Sequence, residues 1–134
     1  RIGDHQHVPE IAGVLGGVAG APVTVSFVPH LLPVTRGIYT TVHADLKEPV
    51  AEALVRSVYA EHYLKEPFVR FGVRIPELKD VQHTNYCDLA AFVEPHTGKL
   101  VVTSVIDNLV KGAAGQAVQN LNLAFGRPER ALLQ

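Results

Sequence analysis

Apolar residues recur along the chain at two different spacings, and the changes of spacing divide it into elements. Ile11, Val14, Leu15 and Val18 fall one helical turn apart and predict a short helix over residues 8–18. Pro9 suits its first turn, where the missing N–H costs nothing, and Glu10 there complements the helix dipole. Gly13, Gly16, Gly17 and Gly20 are expected to weaken this helix and end it early. A longer helical stripe opens after Pro49 and runs to about Leu64. It is made of Ala51, Leu54, Val55, Val58, Tyr59 and His62. A last helix is predicted from about Gly112 to Phe125, stopped by Gly126 and Pro128.

Between the helices the spacing drops to two. Val23, Val25 and Phe27 alternate with Thr24 and Ser26 and predict a strand with one apolar face. A second alternating run places Ile38, Thr40, Val42, Ala44 and Leu46 on one face and Tyr39, Thr41, His43 and Asp45 on the other. Phe68 to Val73 reads as a short strand, followed by a polar loop from Pro76 to Gln82. Asn85 to Glu94 and Leu100 to Ile106 read as a hairpin joined by Pro95-His96-Thr97-Gly98. The second strand of that hairpin is apolar on both faces, which predicts a central place in a covered sheet. The pattern predicts a single α+β domain over 1–134, with a mostly antiparallel mixed sheet and helices packed on one face.

Composition narrows the classes of function. Apolar residues make up 47% and charged residues 19%, a globular balance rather than a disordered one. The formal net charge is −1, and no Lys/Arg run offers the electrostatic footprint that nucleic acid requires. The apolar runs are too short to span a membrane, and nothing resembles a signal peptide. One cysteine, Cys87, excludes an internal disulfide and fits a reducing, cytoplasmic compartment. Cys87 shares a predicted strand face with Leu89, Ala91 and Val93, without a cationic cluster beside it, so a structural thiol is expected. The chain opens on Arg1 without a methionine, which fits a part of a larger unit.

Three segments carry more than fold information. His5-Gln6-His7-Val8-Pro9-Glu10-Ile11 puts two histidines and a carboxylate within one turn. An imidazole oriented by an acid makes a general acid/base near neutral pH. A metal-binding pair and an ordinary exposed terminus are the other readings; no further His/Cys pair stands at zinc-ligand spacing. Pro33-Val34-Thr35-Arg36-Gly37-Ile38 sets a guanidinium beside a glycine on the approach to a strand. Its planar fork suits a carboxylate or phosphate, unless it makes only a surface ion pair. The third segment runs from Val105 to Asn120, where a strand leads into a helix start rich in Gly112, Ala113, Ala114 and Gly115. The small residues suit close backbone approach to an anion, or simply tight packing, and the glycine spacing of a dinucleotide fingerprint is absent.

Taken in order, His5 to Ile11, Pro33 to Ile38 and Asp107 to Asn120 resemble the C-terminal half of N-acetyl-γ-glutamyl-phosphate reductases, with weaker support from Asn85-Tyr86-Cys87-Asp88. The third segment is shared in outline with aspartate-semialdehyde dehydrogenases. The resemblance implies a domain like the C-terminal one of glyceraldehyde-3-phosphate dehydrogenase, following an NADPH-binding Rossmann domain. It implies a homo-oligomer, a dimer or tetramer, and an enzyme that needs NADP but no metal. In that family a cysteine attacks an acyl phosphate, and hydride from NADPH reduces the resulting thioester to a semialdehyde. Carried over, His7 becomes the acid/base with His5 as the alternative, Glu10 its support, and Arg36 the substrate-binding residue. Asn108, Lys111 and Gly112 come near the cofactor. The Gly-Cys nucleophile segment and the cofactor fingerprint of the family are expected upstream of Arg1, so Cys87 does not replace the nucleophile and the chain alone is expected to be inactive. An aspartyl- or aminoadipyl-phosphate reductase is the alternative substrate reading. A binding or oligomerisation module with the same fold is the alternative class.

Overall fold

Four of the alternating segments find one another in a single sheet, while the fifth does not. A computed structural model describes residues 5–72 and 74–133 and divides the chain into two compact units, Arg1–Pro33 and Val34–Gln134.

In the first unit, α1 spans His7–Ala19. The expectation that its glycines would end it early is wrong. The helix runs through Gly13, Gly16 and Gly17 and stops only where Gly20 turns left-handed at φ 67°. A helical glycine costs about 1 kcal/mol relative to alanine, too little to break an element whose next segment folds back beside it. A Cβ on Gly16 would lie 3.3 Å from the carbonyl oxygen of Ala21. The strand predicted at Val23, Val25 and Phe27 is also not formed. These side chains are half-buried and alternate with exposed Thr24 and Ser26, as the pattern requires, but the segment pairs with no strand among the described residues. Alternation specifies which side chains share a face; a strand also needs a neighbour to take its N–H and C=O groups.

The second unit is built on β1 (Ile38–Ala44), β2 (Val69–Phe71), β3 (Cys87–Val93) and β4 (Leu100–Ile106), in the order β1-β4-β3-β2. β4 lies centrally, antiparallel to both neighbours, and β2 joins β3 in parallel, so the sheet is mixed and mostly antiparallel as predicted. β1 stops at Ala44 rather than Leu46 because its partner β4 begins at Leu100. β3 begins at Cys87 rather than Asn85 because the Asn85 side chain is drawn to the last helix, where Nδ2 donates to Gln119 Oε1 at 2.9 Å. Val73, at the predicted end of β2, lies outside the described residues.

Register puts Ile38, Ile106, Cys87 and Val69 on one face, with Val42, Ala91 and Phe71 further along it. Helix α2 (Glu52–His62) packs on this face: Tyr59 stacks on Phe71 at 5.5 Å between centroids, and Glu52 Oε2 accepts the N–H of Val93 at 3.2 Å. Only Val55 of the predicted stripe is buried. The inward line is Glu52, Val55, Tyr59 and Tyr63, while Leu54, Val58 and His62 face out. The apolar band is wider than the contact, and the helix is rolled toward its aromatic side. The opposite face of the sheet holds Arg70 against Asp88, and Arg70 Nη2 also donates to the carbonyl of Asp80. That bond ties the short 3₁₀ turn Leu78–Asp80 to the face away from α2.

The last helix does not begin as a regular α-helix. A π turn, Val110–Ala114, precedes α3 (Gly115–Ala124), and Gly126 ends the run at φ 63°. The close packing expected of the small residues is concentrated at Gly115. A Cβ there would stand 2.3 Å from Asn85 Oδ1 and 2.8 Å from the carbonyl oxygen of Val110. Gly112 is different: its nearest neighbour would be Ile106 Cδ1 at 3.5 Å, an ordinary contact on the helix-bearing face of the sheet. Buried polar groups hold α3 from within. Gln119 Oε1 accepts from Asn85 and from Lys111 Nζ, Gln119 Nε2 donates to Glu129 Oε1, and Asn122 Nδ2 donates to the carbonyls of Glu129 and Ala131. Leu121 and Phe125, on the outer side of α3, remain 54% and 72% exposed.

Candidate active site

The predicted site residues fall into two groups, one in each compact unit. His5, His7 and Glu10 lie at the start of α1. The helix begins at His7, and His5 sits just before it. The His5 carbonyl accepts the N–H of Val8 at 2.9 Å, and its Nδ1 accepts the N–H of His7 at 3.3 Å. That second bond makes His5 Nδ1 an acceptor. The His5 ring stands edge-on to His7 at 4.9 Å and to Phe27 at 5.2 Å. His5 is therefore packed and hydrogen-bonded, whereas the His7 side chain is exposed. Glu10 is exposed one turn further on. No hydrogen bond joins it to His7 among the described residues, so its nearness is that of the helical i, i+3 spacing alone. Among the described residues no group of three or more His, Cys, Asp or Glu side chains could hold a metal ion.

The second group gathers at the C-terminal end of β4. Asp107 is fully buried there. Its carboxylate accepts four hydrogen bonds: Arg36 Nη2 at 3.0 Å, the His83 N–H at 2.7 Å, the Leu109 N–H at 2.9 Å and the Val110 N–H at 3.2 Å. Arg36 Nε lies 2.8 Å from Oδ2, an ion-pair contact without hydrogen-bond alignment. Burial alone would raise the Asp107 pKa, but the donors from His83, Leu109, Arg36 and Val110 outweigh it and hold the group below the ordinary aspartate value. Arg36 Nη1 meets His83 Nδ1 at 2.8 Å, and His83 sits in the left-handed region at φ 65°. Next to Arg36, Gly37 at φ 118° donates its N–H to Asn108 Oδ1 at 2.7 Å. A Cβ there would stand 2.7 Å from Leu78 Cδ2, a side-chain end that can move aside, so it is the backbone conformation that calls for glycine.

Arg36, Asn108 and the start of the π turn are thus brought together. Lys111 is turned inward, with Nζ 2.7 Å from Gln119 Oε1 and 5.6 Å from the centre of the Phe68 ring. Burial lowers its pKa. Gly112, Ala113 and Ala114 are exposed and leave a surface poor in side chains. Sequence reasoning missed Asp107 and His83 as site residues. An aspartate at the end of a strand, two residues before free helix-start N–H groups, is a readable capping signal; nothing in the sequence marks His83 as a partner of Arg36.

Cys87 lies on the predicted face, opposite Ile106 and in line with Leu89 and Ala91. Burial pushes its thiol pKa up, against a smaller opposing pull from Lys111. Lys111 is a single cation rather than a cluster, and desolvation outweighs its pull. The thiol of the native chain is expected to react with a thiol reagent far more slowly than that of the urea-unfolded chain. Cys87→Ser should reduce stability, by about 1–3 kcal/mol if the hydroxyl finds no partner. Labelling at equal rates in both states would place the thiol in solvent.

With this geometry in view, the relationships of the chain become specific. The profile of the family described as "Semialdehyde dehydrogenase, dimerisation domain" matches residues 1–108, and the chain belongs to that family. It is similar to the N-acetyl-gamma-glutamyl-phosphate reductase of Pelotomaculum thermopropionicum, 54% identical over 131 residues, and to that of Symbiobacterium thermophilum, 53% identical over 130 residues. These matches cover 96% and 95% of the chain but only 38% and 37% of the relatives, so the chain spans well under half of their length. Among solved structures it resembles aspartate semialdehyde dehydrogenase II from Vibrio cholerae, with a TM-score of 0.67 at 18% identity over 94% of the chain and 39% of that structure. The shared fold confirms the expected α+β class. No helix among the described residues is long and apolar enough to cross a membrane.

Proposed function

We propose that this chain is the substrate-handling part of an NADPH-dependent, cytoplasmic reductase that converts N-acetyl-γ-glutamyl phosphate to the semialdehyde and phosphate. The observation that carries the reading is identity above 50% to reductases of that name across nearly the whole chain. His7, exposed at the start of α1, moves the proton at the oxygen of the carbonyl being reduced. His5, packed between His7 and Phe27, keeps that ring in place, and Glu10 adds a carboxylate one turn away. Arg36 turns its remaining N–H groups to an anionic part of the substrate. NADPH, when bound, supplies hydride. The exposed Gly112 and the Asn108 amide fit a place beside it, because no Cβ crowds Gly112; Lys111, turned to Gln119, supports that surface from behind. The face of the last helical run that carries Ala114, Val118, Leu121 and Phe125 packs against the cofactor-binding part, and the full-length reductase is a homo-oligomer.

The chain by itself is expected neither to turn over the acyl phosphate nor to bind NADPH tightly, since its sole thiol is a structural one and it lacks a phosphate-binding glycine turn. A fluorescence titration of the isolated chain with NADPH checks this. Micromolar affinity would place the cofactor site within these 134 residues and overturn the division of labour.

A further inference from the structure

A free arginine side chain is a poor binder of small anions, because its long stem samples many rotamers and its donors point in many directions. Arg36 is not in that condition. Its side chain is 19% exposed, and its guanidinium is held from two sides, by Asp107 at Nη2 and Nε and by His83 at Nη1. Of its five N–H groups, one on Nη2 goes to Asp107, one on Nη1 goes to His83, and the Nε–H is buried beside Asp107 Oδ2 without a hydrogen bond, which leaves the second N–H of Nη1 and of Nη2 for a ligand. Asp107 is fixed in turn by backbone donors from two separate segments, His83 on one side and Leu109 and Val110 on the other. Its carboxylate can move only if those bonds break.

We propose that Asp107 is a positioning residue for Arg36: it orients the guanidinium so that the remaining N–H groups meet an anionic group of the substrate. This rests on the reading that Arg36 receives that anion. Only a carboxylate does the job at this point. An asparagine offers one acceptor oxygen, and its NH₂ would be set against Arg36 or against one of the backbone donors, so one of them loses its partner. Asp107 therefore controls affinity for the anion without touching it. Two substrate groups share the required chemistry, a carboxylate and a phosphate. The reverse reaction separates them, because semialdehyde and inorganic phosphate are then distinct substrates with distinct KM values.

The test is steady-state kinetics of the full-length reductase carrying this chain, run in reverse with N-acetylglutamate semialdehyde, inorganic phosphate and NADP⁺. The variants are Arg36→Ala, Asp107→Asn and the double variant. Asp107→Asn is expected to raise one of the two anion KM values by about tenfold or more, with kcat and the NADP⁺ KM changed less than about threefold, the pattern of lost ground-state binding. Whichever KM rises identifies the group as carboxylate or phosphate. The double variant is expected to be no worse than Arg36→Ala, since the two side chains act as one unit. If Arg36→Ala raises that KM while Asp107→Asn does not, or if the two effects simply multiply, the positioning role is overturned and Arg36 stands alone. If Arg36→Ala leaves both anion KM values unchanged, the fault lies in the assignment of Arg36 itself. Should Asp107→Asn fail to fold, His83→Ala loosens the same guanidinium from an exposed position. A rise of the same KM of about threefold supports the proposal, and no change overturns it.

Discussion

His7→Asn in the full-length reductase is expected to lower kcat by on the order of a hundredfold or more, the usual effect of removing a general acid/base, while leaving the protein folded. The choice between the two histidines follows from the structure of the segment. His5 uses Nδ1 to accept the N–H of His7 and packs its ring edge-on with Phe27, so one nitrogen and part of the ring are occupied. His7 begins the helix and is exposed, so that its ring, although it meets His5 at 4.9 Å, can still reach a substrate. Asparagine keeps the size and polarity of the ring's near half but cannot exchange a proton near neutral pH. His5→Asn should therefore have a smaller effect on kcat and a larger one on stability. Steady-state kinetics of the two variants over a range of pH decide the matter. If His5→Asn loses the greater share of kcat, the two roles are reversed.

Gly115→Ala is expected to be the most damaging single-methyl substitution in the second unit. Glycine is needed here for space rather than for backbone conformation, since φ is −64° and ordinary for a helix. The added carbon would meet Asn85 Oδ1 at 2.3 Å and the carbonyl oxygen of Val110 at 2.8 Å. The first is a fully buried side chain already bonded to Gln119, and the second is backbone of the π turn, so neither can yield cheaply. Overpacking of this kind costs about 3 kcal/mol, and here it also pulls on the polar network that ties α3 to Lys111 and Glu129. Gly112→Ala, with only an ordinary contact to Ile106, serves as the control and should change stability by less than about 1 kcal/mol. Urea unfolding of both variants measures the difference. Equal stability would mean that α3 does not pack on Asn85 as described.

The elements of the second unit were legible because their apolar spacing and their neighbours agree. β4 reads as apolar on both faces and is central; Pro95 to Gly98 reads as a hairpin turn and joins β3 to β4; Cys87, Leu89 and Ala91 read as one face and share it. Where the reading failed, information from outside the segment decided. Val23, Val25 and Phe27 have the alternation of a strand without a partner among the described residues, and pairing cannot be read from one segment alone. The band on α2 reads as one stripe, but only the line through Val55 and Tyr59 is turned inward, because the aromatic side chain finds Phe71. The glycines of α1 read as breakers, yet each costs too little to stop the helix.

The site divides in the same way. Residue types and order mark His5, His7, Arg36 and Asn108, and the resemblance assigns them roles. What holds Arg36 was not legible, because Asp107 and His83 come from segments 71 and 47 residues away. Glu10 was chosen from helical spacing, which brings it one turn from His7 without a bond between them.

The central claim is that this chain handles an N-acetyl-γ-glutamyl substrate within a semialdehyde dehydrogenase-type reductase. Its most direct test is the phosphate-dependent reduction of NADP⁺ by the full-length reductase carrying this chain, with N-acetylglutamate semialdehyde and aspartate semialdehyde compared side by side. The expected result is turnover with the N-acetylated substrate, dependent on inorganic phosphate, and kcat/KM at least about a hundredfold lower with aspartate semialdehyde, within the range that recognition of a missing polar group supplies. Preference for aspartate semialdehyde, or no phosphate-dependent turnover with either compound, would contradict it.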